Sequence, residues 1–185
     1  MYCKNNPINY VDPSGHKAKS IMSIYYSYDG GLGAFTKQAK NSSYYYNSEA
    51  KLKPVRYVKG FKNAWKSIKS SIKKVYIYLH GGTGELYFDH EYLEYKKLKK
   101  YPKKKRLKKI YLLSCHGSSG EESVAKALYL ATGKKARIYA SKENVAYRIR
   151  ISDERITYVP RYDETYIKKH GLHYFYLNPV KRCNF

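Results

Sequence analysis

Apolar residues in this chain alternate between runs that suit strands and spacings that suit helices. Residues 20–28 (SIMSIYYSY) favour extended structure almost throughout and predict a strand. Residues 31–40 open a helix, and residues 53–58 predict a short strand. Over 61–73, Phe61, Ala64, Trp65, Ile68 and Ile72 recur at helical spacing. Residues 75–79 (VYIYL) form an unbroken β-favouring run that ends in His80-Gly81-Gly82. A short strand at 85–88 and a helix over 91–101 follow. Residues 110–114 (IYLLS) repeat the earlier layout and end in Cys115-His116-Gly117. Ser118 with Glu121, and Ser119 with Glu122, fit a capping box, and Val124, Ala125, Leu128 and Ala131 then keep helical spacing up to a C-cap at Gly133. Residues 136–140 predict another strand, and 146–151, 156–159 and 172–177 read as short β-like pieces between turns.

Strands alternating with helices predict an α/β domain with a mostly parallel sheet flanked by helices. Runs without polar alternation, such as VYIYL and IYLLS, suit strands covered on both faces. Residues 1–19 differ from the rest: Asn5, Asn6, Pro7, Asn9, Asp12, Pro13, Ser14 and Gly15 are turn formers broken only by short apolar pieces. The expected organisation is a separate unit at 1–19 and one domain over 20–185.

The two matched strand ends carry the candidate chemistry. If both strands are parallel, His80 and Cys115 emerge at the carboxyl edge of the sheet, where open α/β sheets bind ligands. The 35 residues between them fit a crossover containing one helix, which would make the strands neighbours. An imidazole beside a thiol can take its proton or, protonated, stabilise the thiolate. A helix starting near Ser118 would aim its positive end at Cys115, partly offset by Glu121 and Glu122. The backbone N–H groups of Gly81 and Cys115 are candidate oxyanion donors. His116 is a candidate substrate contact, and Arg148 and Arg150, in the segment 141–150 expected to wall the site, hint at acidic substrates. Such acyl transfer needs no metal or organic cofactor. His170 and His173 lack a second ligand pair, so no zinc site is expected. Gly117-Ser118-Ser119-Gly120 is one residue too short for a hydrolase nucleophile elbow.

An apolar strand ending in His-Gly, followed by an apolar strand ending in Cys, resembles the caspase–legumain–gingipain superfamily of cysteine peptidases. VYIYL-His80-Gly81 and IYLLS-Cys115 match the two halves, and the resemblance spans roughly residues 20–141. It implies a caspase-like three-layer sandwich and a cysteine endopeptidase with a Cys115/His80 dyad acting on protein. The string KNNPINYVDPSGH, within the first sixteen residues, resembles the end of the Rhs (YD-repeat) associated core. That resemblance implies that residues 20–185 are a toxin effector. Such an effector is secreted or delivered into target cells on a larger carrier, is cytoplasmic if expressed as an orphan module, and is countered by an acidic immunity or inhibitor protein.

Charge adds a rival reading. The chain has 185 residues, 37 of them basic against 14 acidic, for a net charge of +23. Only 8 of the 37 are Arg, and with 24 Tyr the composition also fits an A/T-rich coding bias. Residues 96–109 hold ten basic side chains in fourteen positions, with Lys99, Lys100, Lys103, Lys104, Lys105 and Arg106 at their centre. This run is either a solvated face or a docking surface for an acidic protein, an anionic membrane or nucleic acid. A nucleic-acid-targeting toxin or binding module is therefore the alternative function, although no deaminase signature and no cluster of nuclease carboxylates is found. No apolar run reaches the roughly 18–20 residues a membrane span needs, and the N-terminus lacks the apolar core of a secretory signal. Three cysteines, Cys3, Cys115 and Cys183, are too few for a disulfide framework, although a staple between the outer two is conceivable.

Overall fold

A computed structural model describes residues 20–28, 35, 36, 39, 50–143, 145, 147–152, 155–160 and 181–185. The unit expected at 1–19 and the strand expected at 172–177 lie outside the described residues, as do the side chains of Arg148 and Arg150.

The core is a six-stranded, mostly parallel sheet. Strands β1 (Ile21–Tyr26), β2 (Ala50–Val55), β3 (Lys74–Tyr78), β7 (Lys109–Leu113) and β8 (Arg137–Ala140) run the same way, and β11 (Lys181–Arg182) closes one edge antiparallel to β8. Their spatial order is β11-β8-β7-β3-β1-β2. Helices α1 (Val58–Lys66) and α3 (Val124–Ala131) supply the crossovers into β3 and β8. The α/β class and mostly parallel sheet match the sequence expectation.

From β1 the chain steps outward to β2, then returns across β1 to β3 and continues to β7 and β8. Parallel crossovers are right-handed, so reversing direction moves the connecting helices to the other face. The described contacts agree. The Trp65 indole donates to Pro102 O at 2.9 Å, Lys104 Nζ to Lys66 O at 2.8 Å and Lys103 Nζ to Leu130 O at 2.8 Å. These bonds draw α1, the segment after α2 (Tyr95–Leu98) and α3 onto one side. Under them lie Val75, Ile77, Ile110, Leu112 and Ile138, all 0–1% exposed. On the opposite face Tyr76, Tyr111 and Tyr139 are in-register neighbours with rings stacked at 4.7 and 4.6 Å. Each such cross-strand aromatic pair contributes about 0.2–1 kcal/mol.

Several boundaries depart from expectation, each for a local reason. The strand expected at 53–58 lies three residues earlier, and Val58 instead begins α1. That helix stops at Lys66 although apolar spacing continues to Ile72, because Ser67 Oγ turns back to donate to Ala64 O at 2.8 Å. Side chains that bond the local backbone compete with helix in this way. The helix expected over 91–101 is largely replaced: Tyr92–Glu94 forms strand β6 with an exposed–buried–exposed pattern, and only Tyr95–Leu98 is helical. The single-helix crossover expected between β3 and β7 is replaced too. It holds a three-stranded antiparallel sheet of β4 (His80–Gly82), β5 (Glu85–Tyr87) and β6, then the four-residue α2. Strands β9 (Tyr147–Ser152) and β10 (Arg155–Pro160) form a separate antiparallel pair. Among the described residues, no helix is long and apolar enough to cross a membrane.

Candidate active site

Strands β3 and β7 are adjacent and parallel, with Tyr78 opposite Leu113 at their carboxyl ends. His80 and Cys115 each follow two residues later, so a shared register brings the two candidate residues to the same level of one edge. The contact between the strand ends is close. A Cβ built on Gly81 would lie 3.0 Å from Ser114 Cβ and Oγ and 3.1 Å from Cys115 O. Glycine at 81 is therefore what lets β4 lie against the Cys115 backbone.

The imidazole sits on the β1 side of this junction. Its ring meets Phe35 edge-on at 4.8 Å and Tyr26 at 5.8 Å. Strands β1 and β3 flank the point where the chain reverses direction across the sheet, which is where open α/β sheets form a ligand crevice. Cys115 lies on the other side, half-buried and free, with its thiol 3.9 Å from Val145 O. No carbonyl among the described residues accepts from the Cys115 N–H, whereas His116, Ser118 and Ser119 donate to Glu143, Ser141 and His116 carbonyls at 2.9–3.0 Å. An oxyanion donor beside the thiol needs an N–H without a competing acceptor.

The turn after Cys115 is tight. His116 adopts φ 52°, a left-handed conformation that is uncommon away from glycine. Its Nδ1 lies 3.0 Å from Lys142 O. A carbonyl only accepts, so Nδ1 is the donor in this bond. A Cβ at Gly117 would come within 2.7 Å of Leu112 Cδ2, so the turn closes only with glycine there.

The expected helix start at Ser118 or Ser119 is not formed. Left-handed residues at His116 and Gly120 interrupt helical geometry, and Ser123 is the N-cap, its Oγ accepting from the Lys126 N–H at 3.3 Å. In the first turn of α3 the Ala125 N–H donates to Gly117 O at 2.8 Å. These donors are occupied by the protein itself, so α3 does not present a free N-terminus to Cys115 as the sequence reading required.

Two residues not singled out in the sequence belong to this neighbourhood. The tight hairpin at Thr83-Gly84, with Gly84 at φ 80°, sets His80 opposite Tyr87. The Tyr87 hydroxyl occupies the place a Cβ on Gly82 would take. Burial raises the Tyr87 pKa, and a hydrogen bond to Glu85 and the charges of Glu85, Tyr92 and Cys115 add to it. The signal for this placement was present in Gly81-Gly82-Thr83-Gly84, a glycine-rich hairpin between β-favouring pieces.

Beside the Cys115 turn lies a cleft of about 510 Å³, lined in part by Ser118, Ser141, Lys142, Glu143 and Cys183. Residues 141–143 line this cleft, which neither His80 nor Cys115 borders, while Arg148 and Arg150 fall on β9 in the separate β9–β10 pair. Cys183 is a free thiol there, and Cys3, its conceived partner, lies outside the described residues. Burial raises its pKa, against smaller lowering effects of Ser118, the Ala140 backbone and Lys142. Among the described residues no group of three or more His, Cys, Asp or Glu could hold a metal ion. The lysine-rich run lies at the opposite end of the strands, leading into the start of β7.

No family model matches the chain, and no characterised protein matches it either.

Proposed function

We propose that residues 20–185 are a cysteine endopeptidase of the toxin-effector type, with Cys115 as nucleophile and His80 as general base and acid. The observation that carries this reading is the shared register of β3 and β7, which levels a histidine and a cysteine at the ligand-binding edge of a parallel sheet. Further support comes from the Cys115 N–H, which no carbonyl among the described residues accepts from, the strained turn at His116 and the cleft beside it. Strain of this kind is concentrated at functional sites.

In this mechanism the Cys115 sulfur forms a bond to the scissile carbonyl carbon while His80 takes the thiol proton. The Cys115 N–H and Gly81 N–H receive the developing oxyanion. His80 returns the proton to the amine as the carbon–nitrogen bond breaks, leaving a thioester. Water, deprotonated by His80, then attacks that thioester, and the sulfur leaves with the proton. Lys142 in the cleft wall favours acidic substrates.

The test is expression of wild type and Cys115→Ala in a susceptible cell, with proteome-wide mapping of new peptide termini. New termini in wild type alone support the assignment, and identical profiles in both overturn it. A thiol probe applied in a Cys183→Ser background should label Cys115, and label it more slowly when His80 is alanine.

A further inference from the structure

Charge in this domain is sorted along the strand axis. Between residues 50 and 143 the seven acidic residues are Glu85, Asp89, Glu91, Glu94, Glu121, Glu122 and Glu143. They sit in the β4–β6 sheet and its flanks, in the turn before α3, or just after β8, on the side where the parallel strands end. The side where those strands begin is built from residues 67–74, 99–109 and 132–137 together with Lys51. These segments carry fifteen basic residues and no acidic one. Backbone bonds join them into one surface: Lys108 N to Lys73 O at 2.9 Å, Arg137 N to Lys108 O at 2.9 Å and Lys104 N to Ala131 O at 2.9 Å. Two shallow grooves of about 320 and 230 Å³ cross it, both bordered by Lys69 and Ile72.

Part of this charge has a structural use. Helices α1 and α3 end here, and cations near helix C-termini are favourable. Lys104 Nζ donates to Lys66 O and Ile68 O at 2.8 and 3.0 Å, and Lys103 Nζ to Leu130 O at 2.8 Å. Helix polarity accounts for these two residues and leaves most of the face without such a use. Among the described residues, the ion pairs Arg56–Asp89, His90–Asp89 and Lys97–Glu94 all involve acids of the β4–β6 region.

We infer that this amino-edge face is a second site of the protein, binding the phosphate backbone of duplex nucleic acid without regard to sequence. Its composition selects that partner over an acidic protein. Protein interfaces are depleted in Lys, and their hot spots are Trp, Tyr and Arg. Here thirteen of the fifteen cations are Lys, and the only aromatic residue in the three segments, Tyr101, is buried at 7% exposure. A flat array of lysine charges without an aromatic anchor suits repeated phosphates, which are met one charge at a time. The site is independent of the proposed peptidase chemistry, which lies at the other end of the strands.

The test is fluorescence anisotropy of the full chain with a labelled 30-bp DNA duplex between 50 and 200 mM salt. Log affinity should fall linearly with log salt, with about 0.9 of slope per phosphate contact. Lys69→Gln/Lys105→Gln/Arg106→Gln should reduce the slope by about 2–3 and weaken binding at least tenfold at 100 mM salt. None of these three side chains makes a backbone-capping bond among those described. Lys59→Gln/Lys62→Gln/Lys126→Gln removes the same net charge away from the face and should change the slope by less than about 1. The single variants Lys69→Gln and Arg106→Gln, each costing about 0.9 of slope, decide the matter if the triple variant does not fold. Equal losses from both triples would overturn the site, leaving only diffuse charge. Competition by poly-L-glutamate as potent per charge as DNA would overturn the choice of partner in favour of an acidic protein.

Discussion

At the carboxyl ends of β3 and β7 the chain places a histidine, a half-buried thiol, a left-handed His116 and every acidic residue of the 50–143 segment. At the amino ends of the same strands it places fifteen cations and no acid. Between the two edges the strands are alike, with Val75, Ile77, Ile110 and Leu112 fully buried. The contrast teaches that helix polarity sorts the first few charges and that loops add the rest. Glu91 accepts from the Val58 N–H at 2.7 Å at the start of α1, while Lys104 donates to carbonyls at its end. Both contacts complement the helix dipole. What exceeds that requirement is the left-handed turn after Cys115 at one edge and surplus positive charge at the other.

The largest expected effect separates the edges by activity. His80→Ala should lower peptide cleavage by about 10²–10⁴-fold, the usual contribution of a general base, and Cys115→Ala should abolish it. The Lys69/Lys105/Arg106 variant should cleave like wild type while losing DNA affinity. Steady-state kinetics on a labelled protein substrate checks both arms. A lysine-face variant that lost cleavage would show that the edges are not independent.

Two glycines sharpen the same contrast. Gly81→Ala pushes a methyl group against Ser114 and the Cys115 carbonyl, with contacts of 3.0–3.1 Å, and should cost about 1–3 kcal/mol by overpacking. It also displaces the Cys115 backbone, and errors of about 1 Å in a site can cost about 10²-fold in rate. Gly133→Ala strains a residue at φ 64° and should cost about 1 kcal/mol with unchanged cleavage. Urea denaturation and kinetics on the pair test this. Similar losses of cleavage at similar losses of stability would reduce the Gly81 effect to unfolding.

Adjacent strand ends were legible because VYIYL and IYLLS are unbroken apolar runs, which survive any error of one or two residues at their boundaries. Their register brought His80 and Cys115 to the same edge of the sheet, with the imidazole against Phe35 and Tyr26 and the thiol beside Val145 O. Less legible was everything set by a hydroxyl or a left-handed residue. Ser118 and Ser119 match a capping box as well as any sequence can, yet His116 and Gly120 hold that segment in turns, so Ser123 caps α3. Tyr92-Leu93-Glu94 gave no strand signal because three residues are too few to separate period 2 from period 3.6. Tyr87 escaped notice because its place beside Gly82 depends on hairpin register, not on any property of its own. The cap assignment has a direct check: Ser123→Ala should cost about 1 kcal/mol, and Ser119→Ala close to nothing. The reverse order in thermal melts would restore the capping-box reading.

The smallest effect at neutral pH belongs to the amino edge and tests how the lysine-rich loop is anchored. Tyr101 is 7% exposed, its hydroxyl is buried without a hydrogen-bond partner among the described residues, and its ring packs 6.2 Å from Phe61. Tyr101→Phe deletes an unsatisfied polar group while keeping the ring, and should stabilise the fold by up to about 1 kcal/mol. Burial pushes the phenol pKa from 10.0 up to about 12, because the phenolate is disfavoured in the core. Between those values the folded state keeps a proton that the unfolded state has released, so stability falls as pH rises from 10 to about 12. Below pH 10 both states hold the proton, and Tyr101 adds no pH dependence. Urea midpoints of wild type and Tyr101→Phe should therefore run parallel up to pH 10 and diverge above it, with wild type falling faster. Parallel curves through pH 12 would mean that Tyr101 ionises as readily in the folded protein as in water, and that the loop carrying the cations is not packed against Phe61.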